Sequence, residues 1–421
     1  MRSPISLAEI RLARSFAAEL YLAKLQTQID GRLRGDPLAR VSLYPWHADP
    51  YPLYDRIRGR GLLVPGRMPG YWSTAHHAVC KEVLGSRAFG TEGREGPGRS
   101  SGEFDLSILE MNPPDHTRLR KVAAPAFRPR RMESYRPGVE KRVHLLLDEA
   151  ERKGTFDLTR ALAAPLPIRV ISELLGVPDA DEDTFIRYGT ALGTALDGLK
   201  SMRHAHEAFG AKNGLEQMFT RLLEERSGQP REDMLSILAA ERGDTIHPDE
   251  ILPLCQLLLV AGFETTVNLI GNAVHALMLH RDQWQILVEE PTRAADVVEE
   301  TLRYDSPIQF TSRVALQDTE AGYHRIPKGN WVVTALGGAN RDPEVFARPD
   351  VFDITRTDNS DHLAFSSGIH YCLGAPLARI EAEIALRVLA ERMPRLRLAG
   401  KVPMRRSTTI RGVRSLPVAT S

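Results

Sequence analysis

The chain has 421 residues, with 55 Lys and Arg against 54 Asp and Glu and a formal net charge of +1. So even a balance carries no electrostatic footprint for a nucleic acid or another polyanion. Three cysteines, Cys80, Cys255 and Cys372, are too few and too scattered for a disulfide framework or a zinc knuckle, which suits a reducing cytoplasm.

Residues 1–40 place apolar side chains at helical spacing but are cut by Glu9, Arg11, Arg14, Glu19 and Lys24. That pattern cannot span a bilayer or serve as a signal peptide. It predicts an amphipathic helical extension that docks on the body of the protein, with a membrane-surface role as the alternative. From residue 41 onward no internal repeat and no long linker divides the chain, so 41–421 reads as a single domain. HADPYPLYDRIRGRGLLV predicts a turn, a short helix and a strand, and GYWSTAHHAVCKEVLG a strand and a helix. Between Phe89 and Glu110 the chain turns polar and glycine-rich, too long for a simple connection and therefore either a functional loop or a floppy one.

Asn112-Pro-Pro-Asp115 signals a helix start and puts His116 and Arg120 one turn apart on one face, a spacing that can hold a carboxylate. From about Pro137 to Glu241 the pattern is mostly helical, with a soft joint between Gly193 and His204. HPDEILPLCQLLLVAGFETTVNLIGNAVHALMLH is the longest helical pattern and is apolar on nearly every side, as in a buried central helix. Glu264, Thr265, Thr266 and Asn268 argue against a membrane span, and Pro253 should disturb the opening turns. Ala261 and Gly262 remove bulk from one face so that a flat group can lie there, and Thr265 can bond back to the Ala261 carbonyl. Glu264, an acid in an apolar helix, is a candidate for a tuned pKa. Glu300 and Arg303, three apart on a helix, can pair.

Phe365-Ser-Ser-Gly368-Ile-His370-Tyr-Cys372-Leu-Gly374 is the stretch on which the reading turns. A cysteine in a glycine-bracketed loop at a helix mouth lies near the positive end of the helix dipole, an environment that favours a thiolate. Gly368 and Gly374 let a flat ligand approach the main chain, and Pro376 suits the first helical turn.

The run F-x-x-G-x-H-x-C-x-G, with the Ala261–Thr265, Glu300/Arg303 and His116/Arg120 motifs in the same order, resembles the cytochrome P-450 family, soluble bacterial type, from about Asp49 onward. The resemblance implies a mainly α fold with small β-sheets, a triangular helical body around a long central helix. It implies heme b as cofactor, with Cys372 ligating the iron and His116, Arg120, Arg313 and His370 on the propionates. Ala261, Gly262, Phe365, Gly368 and Gly374 would line the cofactor, and Glu264 and Thr265 would deliver protons in catalysis. Phe104, Leu106, Leu109, Leu257, Ile308, Gln309, Phe310 and Ile410 would line the substrate pocket, and Glu300, Arg303 and Arg356 would form a structural trio. The two helices flanking the soft joint would form a lid.

The implied activity is hydroxylation or epoxidation of an apolar small molecule, such as a fatty acid, terpene, steroid or polyketide, by a cytoplasmic monomer. With no flavin, nicotinamide or iron-sulfur motif in the chain, a separate ferredoxin or flavodoxin with its reductase would supply electrons, docking near Arg118, Arg128, Arg130 and Arg131. A peroxide-driven peroxygenase and a non-catalytic heme sensor are the alternatives. A cysteine hydrolase lacks a third orienting group beside Cys372 and His370.

Overall fold

The longest helix of the computed structural model runs from Pro248 to Leu279, where the apolar pattern places it. Pro248 occupies its first turn, and the His247 N–H donates to the Glu250 carboxylate at 2.9 Å, so the start is capped on both sides. Pro253 sits inside the helix and leaves the Asp249 carbonyl without its usual donor, but the helix continues through it. At 32 residues the element is about 48 Å long, enough to cross the molecule. It is also the one described helix long and apolar enough to cross a membrane, yet most of it is buried inside the protein. Residues 18, 21–91, 106–178, 181–195, 201–407 and 409–420 are described.

Around this axis the main core gathers Leu254, Ile270 and Leu277 of the central helix with Leu174, Phe219 and Leu389 of its neighbours. Helices Glu182–Ala195 and Met202–Gly228 pack on each other and on the central helix. Their connection, 196–200, lies outside the described residues. On the other side, helix Ala375–Arg392 packs against Pro129–Glu151 and Ala294–Tyr304. Ion pairs Arg136–Glu383 at 2.9 Å and Arg392–Glu151 at 2.6 Å border that contact.

Beside the helical body lies a five-stranded sheet in the order Val64–Pro65, Tyr71–Thr74, Trp331–Ala335, Phe310–Ala315 and Phe89–Gly90. Tyr71–Thr74 runs parallel to Trp331–Ala335, with Tyr71 opposite Trp331, and the other pairs are antiparallel. The sheet therefore joins segments more than 200 residues apart, and it holds Arg313 in its fourth strand. A three-stranded sheet and a hairpin, Thr319–Ala321 with His324–Ile326, complete the fold, which is mainly α with small sheets as expected.

In the described part of the N-terminal extension Tyr21, Leu22 and Leu25 are 55%, 64% and 57% exposed, while Ile29 is half-buried and Asp30 and Gly31 are buried. At Pro37–Val41 the Asp36 side chain caps a short helix and Val41 is buried.

Candidate active site around Cys372

The cysteine loop is folded by its own backbone. The Cys372 N–H donates to the Phe365 carbonyl at 2.9 Å and the Tyr371 N–H to the Gly368 carbonyl at 3.1 Å, closing a single tight turn. Gly368 has φ +69°, and a Cβ there would collide with the Leu84 carbonyl, so no other residue fits. Gly374 differs. Its φ is −84°, and an added Cβ would meet nothing within 4 Å. What its missing side chain supplies is open space beside the sulfur.

Of the three cysteines only Cys372 is exposed. Although the residue is solvent-accessible, protein packs densely about the sulfur, and this burial raises the thiol pKa. The Gly374 and Ala375 N–H groups, Arg120 and Arg379 pull the other way without prevailing. The expected thiolate bias of the helix mouth is thus outweighed by desolvation in the protein alone. A coordinated cation would restore it, because binding deprotonates a thiol.

A network that the sequence reading missed fastens this loop. Arg379 donates to both oxygens of Glu299 at 2.6 and 3.0 Å and to the Tyr371 hydroxyl at 3.3 Å, and it lies 4.6 Å above the Phe365 ring. His362 reaches the same carboxylate at 3.2 Å. Despite burial, His362 and Arg379 together hold the Glu299 carboxyl down to about 2. Arg379 follows Cys372 by seven residues on the helix, a spacing that could have flagged it.

Next to the thiol, three elements bring four nitrogen-bearing side chains together. His116 and Arg120 come from helix Asp115–Ala123, Arg313 from the sheet and His370 from the loop. The His116 and His370 rings are 4.4 Å apart. Neither nitrogen of His116 has a hydrogen-bond partner among the described residues, and Nε2 of His370 also lacks one. Arg313 is 5% exposed, bonds only to the Thr311 hydroxyl at 3.1 Å and the Ser312 carbonyl at 2.8 Å, and meets no carboxylate among the described residues. Burial lowers its pKa to about 10. Burial, then Arg313, His116 and Arg120, push His370 down to about 3. Arg120 donates to the Tyr371 carbonyl at 2.6 Å, and burial lowers its pKa too. Buried cations without counter-charge are costly, and this cluster lacks only an anion.

The central helix presents its own open point. Ala261 is exposed in the middle of an otherwise buried stretch, and the Thr265 hydroxyl donates to its carbonyl at 2.8 Å. Gly262 does not share that face. A Cβ on it would lie 3.1 Å from Ile171, so its smallness serves helix packing instead of a flat ligand, which corrects the expectation. Glu264, 2% exposed, is ion-paired with Arg405, a partner the sequence did not suggest.

Several pocket expectations are corrected. Gln309 is 1% exposed, accepts from the Tyr54 hydroxyl at 2.8 Å and donates to the Ser306 carbonyl at 2.7 Å, so it is structural filling. Phe310 packs edge-on against Tyr54, in a cluster with Val41 and Ile57. Ile308 is half-buried and bridges to the buried Ile410. Leu106 and Leu257 pack in or on the main core, Leu109 is 48% exposed, and Phe104 lies outside the described residues. Arg118 forks onto Glu250 at 2.6 and 2.8 Å and is no free docking charge. Arg128 and Arg130 are exposed, and Arg131 donates to the Glu232 carbonyl at 3.0 Å.

Glu300 and Arg303 are fully buried and joined by two bonds of 2.8 Å, with Arg356 at 3.2 Å from the same carboxylate. Arg303 also donates to the carbonyls of Asn340, Pro349 and Val351. The trio is a closed network tying helix Ala294–Tyr304 to the segment before the cysteine loop.

One planar ligand with two carboxylates and a metal at its centre would answer the cation cluster, the open space at Gly374 and the accessible sulfur together. That combination defines a heme-thiolate protein. Comparison with known proteins agrees. The family described as Cytochrome P450 matches residues 72–392. The monooxygenase PikC of Streptomyces venezuelae is 39% identical over 386 residues, covering 88% of this chain and 91% of that protein. The biotin biosynthesis cytochrome P450 of Bacillus subtilis is 38% identical over 361 residues, covering 83% and 91%. Among solved structures, ligand-free CYP164A2 of Mycobacterium smegmatis superposes with a TM-score of 0.85 at 39% identity, covering 91% of this chain and 99% of that one. The chain belongs to the cytochrome P450 family, whose members bind heme b and act as monooxygenases.

Proposed function

We propose that the protein hydroxylates or epoxidises an apolar small molecule with O2 and two electrons, and that Cys372 Sγ is the iron ligand. The unpartnered ring nitrogens of His116 and His370 and the buried, carboxylate-free Arg313, gathered beside the one accessible thiol, are the observation that supports this most among the described residues. Bound there, heme supplies the reductive activation of dioxygen and the transfer of one oxygen atom to carbon.

The protein's own residues do the rest. His116, Arg120, Arg313 and His370 hold the two carboxylates, and each charge-assisted contact offsets the desolvation of a buried donor. Arg120 and the Gly374 and Ala375 N–H groups bear on the sulfur and temper its electron donation. Ala261, small and exposed in the central helix, would leave room for a flat group. Thr265, its hydroxyl proton donated to the Ala261 carbonyl, keeps its oxygen lone pairs free to accept a hydrogen bond, and it can release that proton only as it receives another. Glu264, next in sequence, brings protons to it. Leu109 and Ile308, which are not wholly taken up by the core, are the apolar side chains that would exclude water from the reacting carbon.

A ferredoxin or flavodoxin would dock on the cysteine side, where exposed Lys121, Arg128 and Arg130 offer positive charge. Polyketide and fatty-acyl substrates are the first choices. Relatives include a polyketide biosynthesis cytochrome P450 named PksS and a P450BioI solved with an acyl carrier protein bearing hexadec-9Z-enoic acid. We place the enzyme in the cytoplasm as a monomer.

The test is the ferrous carbonyl spectrum of the purified protein, followed by product formation with ferredoxin, reductase and O2. A sulfur-ligated spectrum that Cys372→Ser abolishes supports the proposal. An imidazole-type spectrum, or turnover with hydrogen peroxide but not with O2 and reductant, refutes it.

A further inference from the structure

Helix His77–Gly85 begins beside the turn that follows helix Leu336–Ala339. The Asp342 carboxylate, 1% exposed, accepts the His77 N–H on Oδ2 at 2.8 Å and the Glu344 N–H on Oδ1 at 3.1 Å, so it fastens the helix start to the turn. His76, 8% exposed, has its Nε2 3.2 Å from the Arg58 carbonyl. A carbonyl can only accept, so Nε2 carries the ring proton and Nδ1 is left with a bare lone pair. That nitrogen is buried, has no hydrogen-bond partner among the described residues, and faces Oδ2 of Asp342 from 3.8 Å. A proton on Nδ1 would not close the gap, because 3.8 Å is beyond hydrogen-bond reach. Two lone-pair atoms thus confront each other with space between them.

The exposed Glu344 carboxylate is the third group: one ligand atom each from His76, Asp342 and Glu344 lies within 4.8 Å of the other two. Charge argues for a cation there. Arg58 Nε lies 3.7 Å from Oδ1 of Asp342, but its guanidinium is already paired with Asp55 at 2.6 Å and donates to the Gly338 carbonyl at 2.5 Å. With Arg58 and Asp55 cancelling each other, the negative charges of Asp342 and Glu344 remain, the complement of one divalent ion. One imidazole and two carboxylates, with water in the fourth position, form a ligand set that zinc takes in tetrahedral sites. The outer contacts suit it too, since a ligating histidine donates its other N–H to a carbonyl and a ligating carboxylate is itself hydrogen-bonded. Glu344, on the surface, provides the way in.

We propose that His76 Nδ1, Asp342 and Glu344 form a structural zinc site that clamps helix His77–Gly85 to the turn after Leu336–Ala339. The clamp bears on the cysteine loop through that helix. The Leu84 carbonyl occupies the place a Cβ on Gly368 would need, and His77 and Lys81 reach Asp361 at 2.7 and 2.6 Å, in the segment leading to the loop. The site needs neither the substrate nor the redox partner.

The experiment uses chelator-treated, heme-loaded enzyme, in which Cys372 is occupied. Zinc chloride is titrated in competition with a chelating dye, and the melting temperature is followed against free zinc. One zinc per chain should bind, and the melting temperature should rise with the logarithm of free zinc once the site is filled. E344Q and H76Q should each weaken binding by about tenfold or more. Because Glu344 is exposed, zinc-free E344Q should melt with the zinc-free parent, which separates a lost ligand from a damaged fold.

No saturable binding, with a melting temperature indifferent to zinc, would mean that a water bridges His76 and Asp342, and would overturn the proposal. Zinc held as tightly by E344Q and H76Q as by the parent would place the ion elsewhere on the chain and overturn it as well.

Discussion

Replacing Arg313 by methionine should affect the heme-free and heme-loaded protein in opposite directions. The guanidinium is 5% exposed, has no carboxylate beside it among the described residues, and burial pushes its pKa down to about 10. Its pKa is lower in the folded than in the unfolded chain. At any pH below about 10 both states carry the charge and the folded state bears the full penalty, which is relieved only as pH rises above about 10 into the ordinary arginine range. That depression corresponds to ~3 kcal/mol. Methionine is of similar length and uncharged, and it forfeits the bonds to the Thr311 hydroxyl and the Ser312 carbonyl, each worth about 1 kcal/mol. Heme-free Arg313→Met should therefore be more stable than the parent by about 1 kcal/mol in urea melts at pH 7. The loaded variant should release heme to an acceptor such as apomyoglobin at least tenfold faster, as the loss of about 1.5–3 kcal/mol from a charge-assisted contact requires. A heme-free variant that is clearly less stable, with heme release unchanged, would refute the idea that this arginine waits for a carboxylate.

Arg303→Met should lower unfolding stability by about 3–5 kcal/mol, since it strands the Glu300 carboxylate in the interior, and urea unfolding followed by circular dichroism would register it. A loss under about 1 kcal/mol, the size expected of a surface pair, would contradict the burial seen here. Thr265→Ala should leave reductant consumption nearly unchanged while product per reductant falls by about an order of magnitude, a modest share of what a positioned proton donor contributes. An unchanged ratio would remove Thr265 from the relay. Glu299, held at about 2 by His362 and Arg379, has a depressed folded-state pKa. Its stabilisation is therefore complete above about 4.5 and lost as pH falls toward 2. Glu299→Gln should flatten this acid limb of the stability curve and loosen the loop, detectable as faster heme release, whereas an acid limb identical to the parent's would exclude the network.

What was legible in the sequence was what repeats locally or sits at fixed spacing. The central helix could be read from its apolar pattern, the His116/Arg120 pair from one helical turn, and the cysteine loop from glycines whose necessity at 368 is visible in the Leu84 contact. Residues joined only by the tertiary fold escaped. Arg405 lies 141 positions from Glu264, and nothing local distinguishes it from Arg406. The family resemblance implies a pocket role for Gln309 and Phe310, yet Tyr54, from a helix more than 250 residues earlier, claims both. Gly262 failed for a different reason. A small residue in a helix signals close approach but not by what, and here the visitor is Ile171. The thiolate expectation failed because a helix mouth attracts negative charge while the surrounding protein repels it, and only packing decides which prevails.

Glu299 and Glu300 are neighbours on one helix, but the first grips the loop holding the sulfur through Arg379 and the second secures the stretch leading into it through Arg303 and Arg356. Consecutive carboxylates thus rivet two parts of the chain to a common post. An insertion or deletion of one residue in that helix would rotate both acids by about 100° and release both fastenings together. The spacing between these anchors should consequently tolerate substitution on its solvent side far better than any change of length.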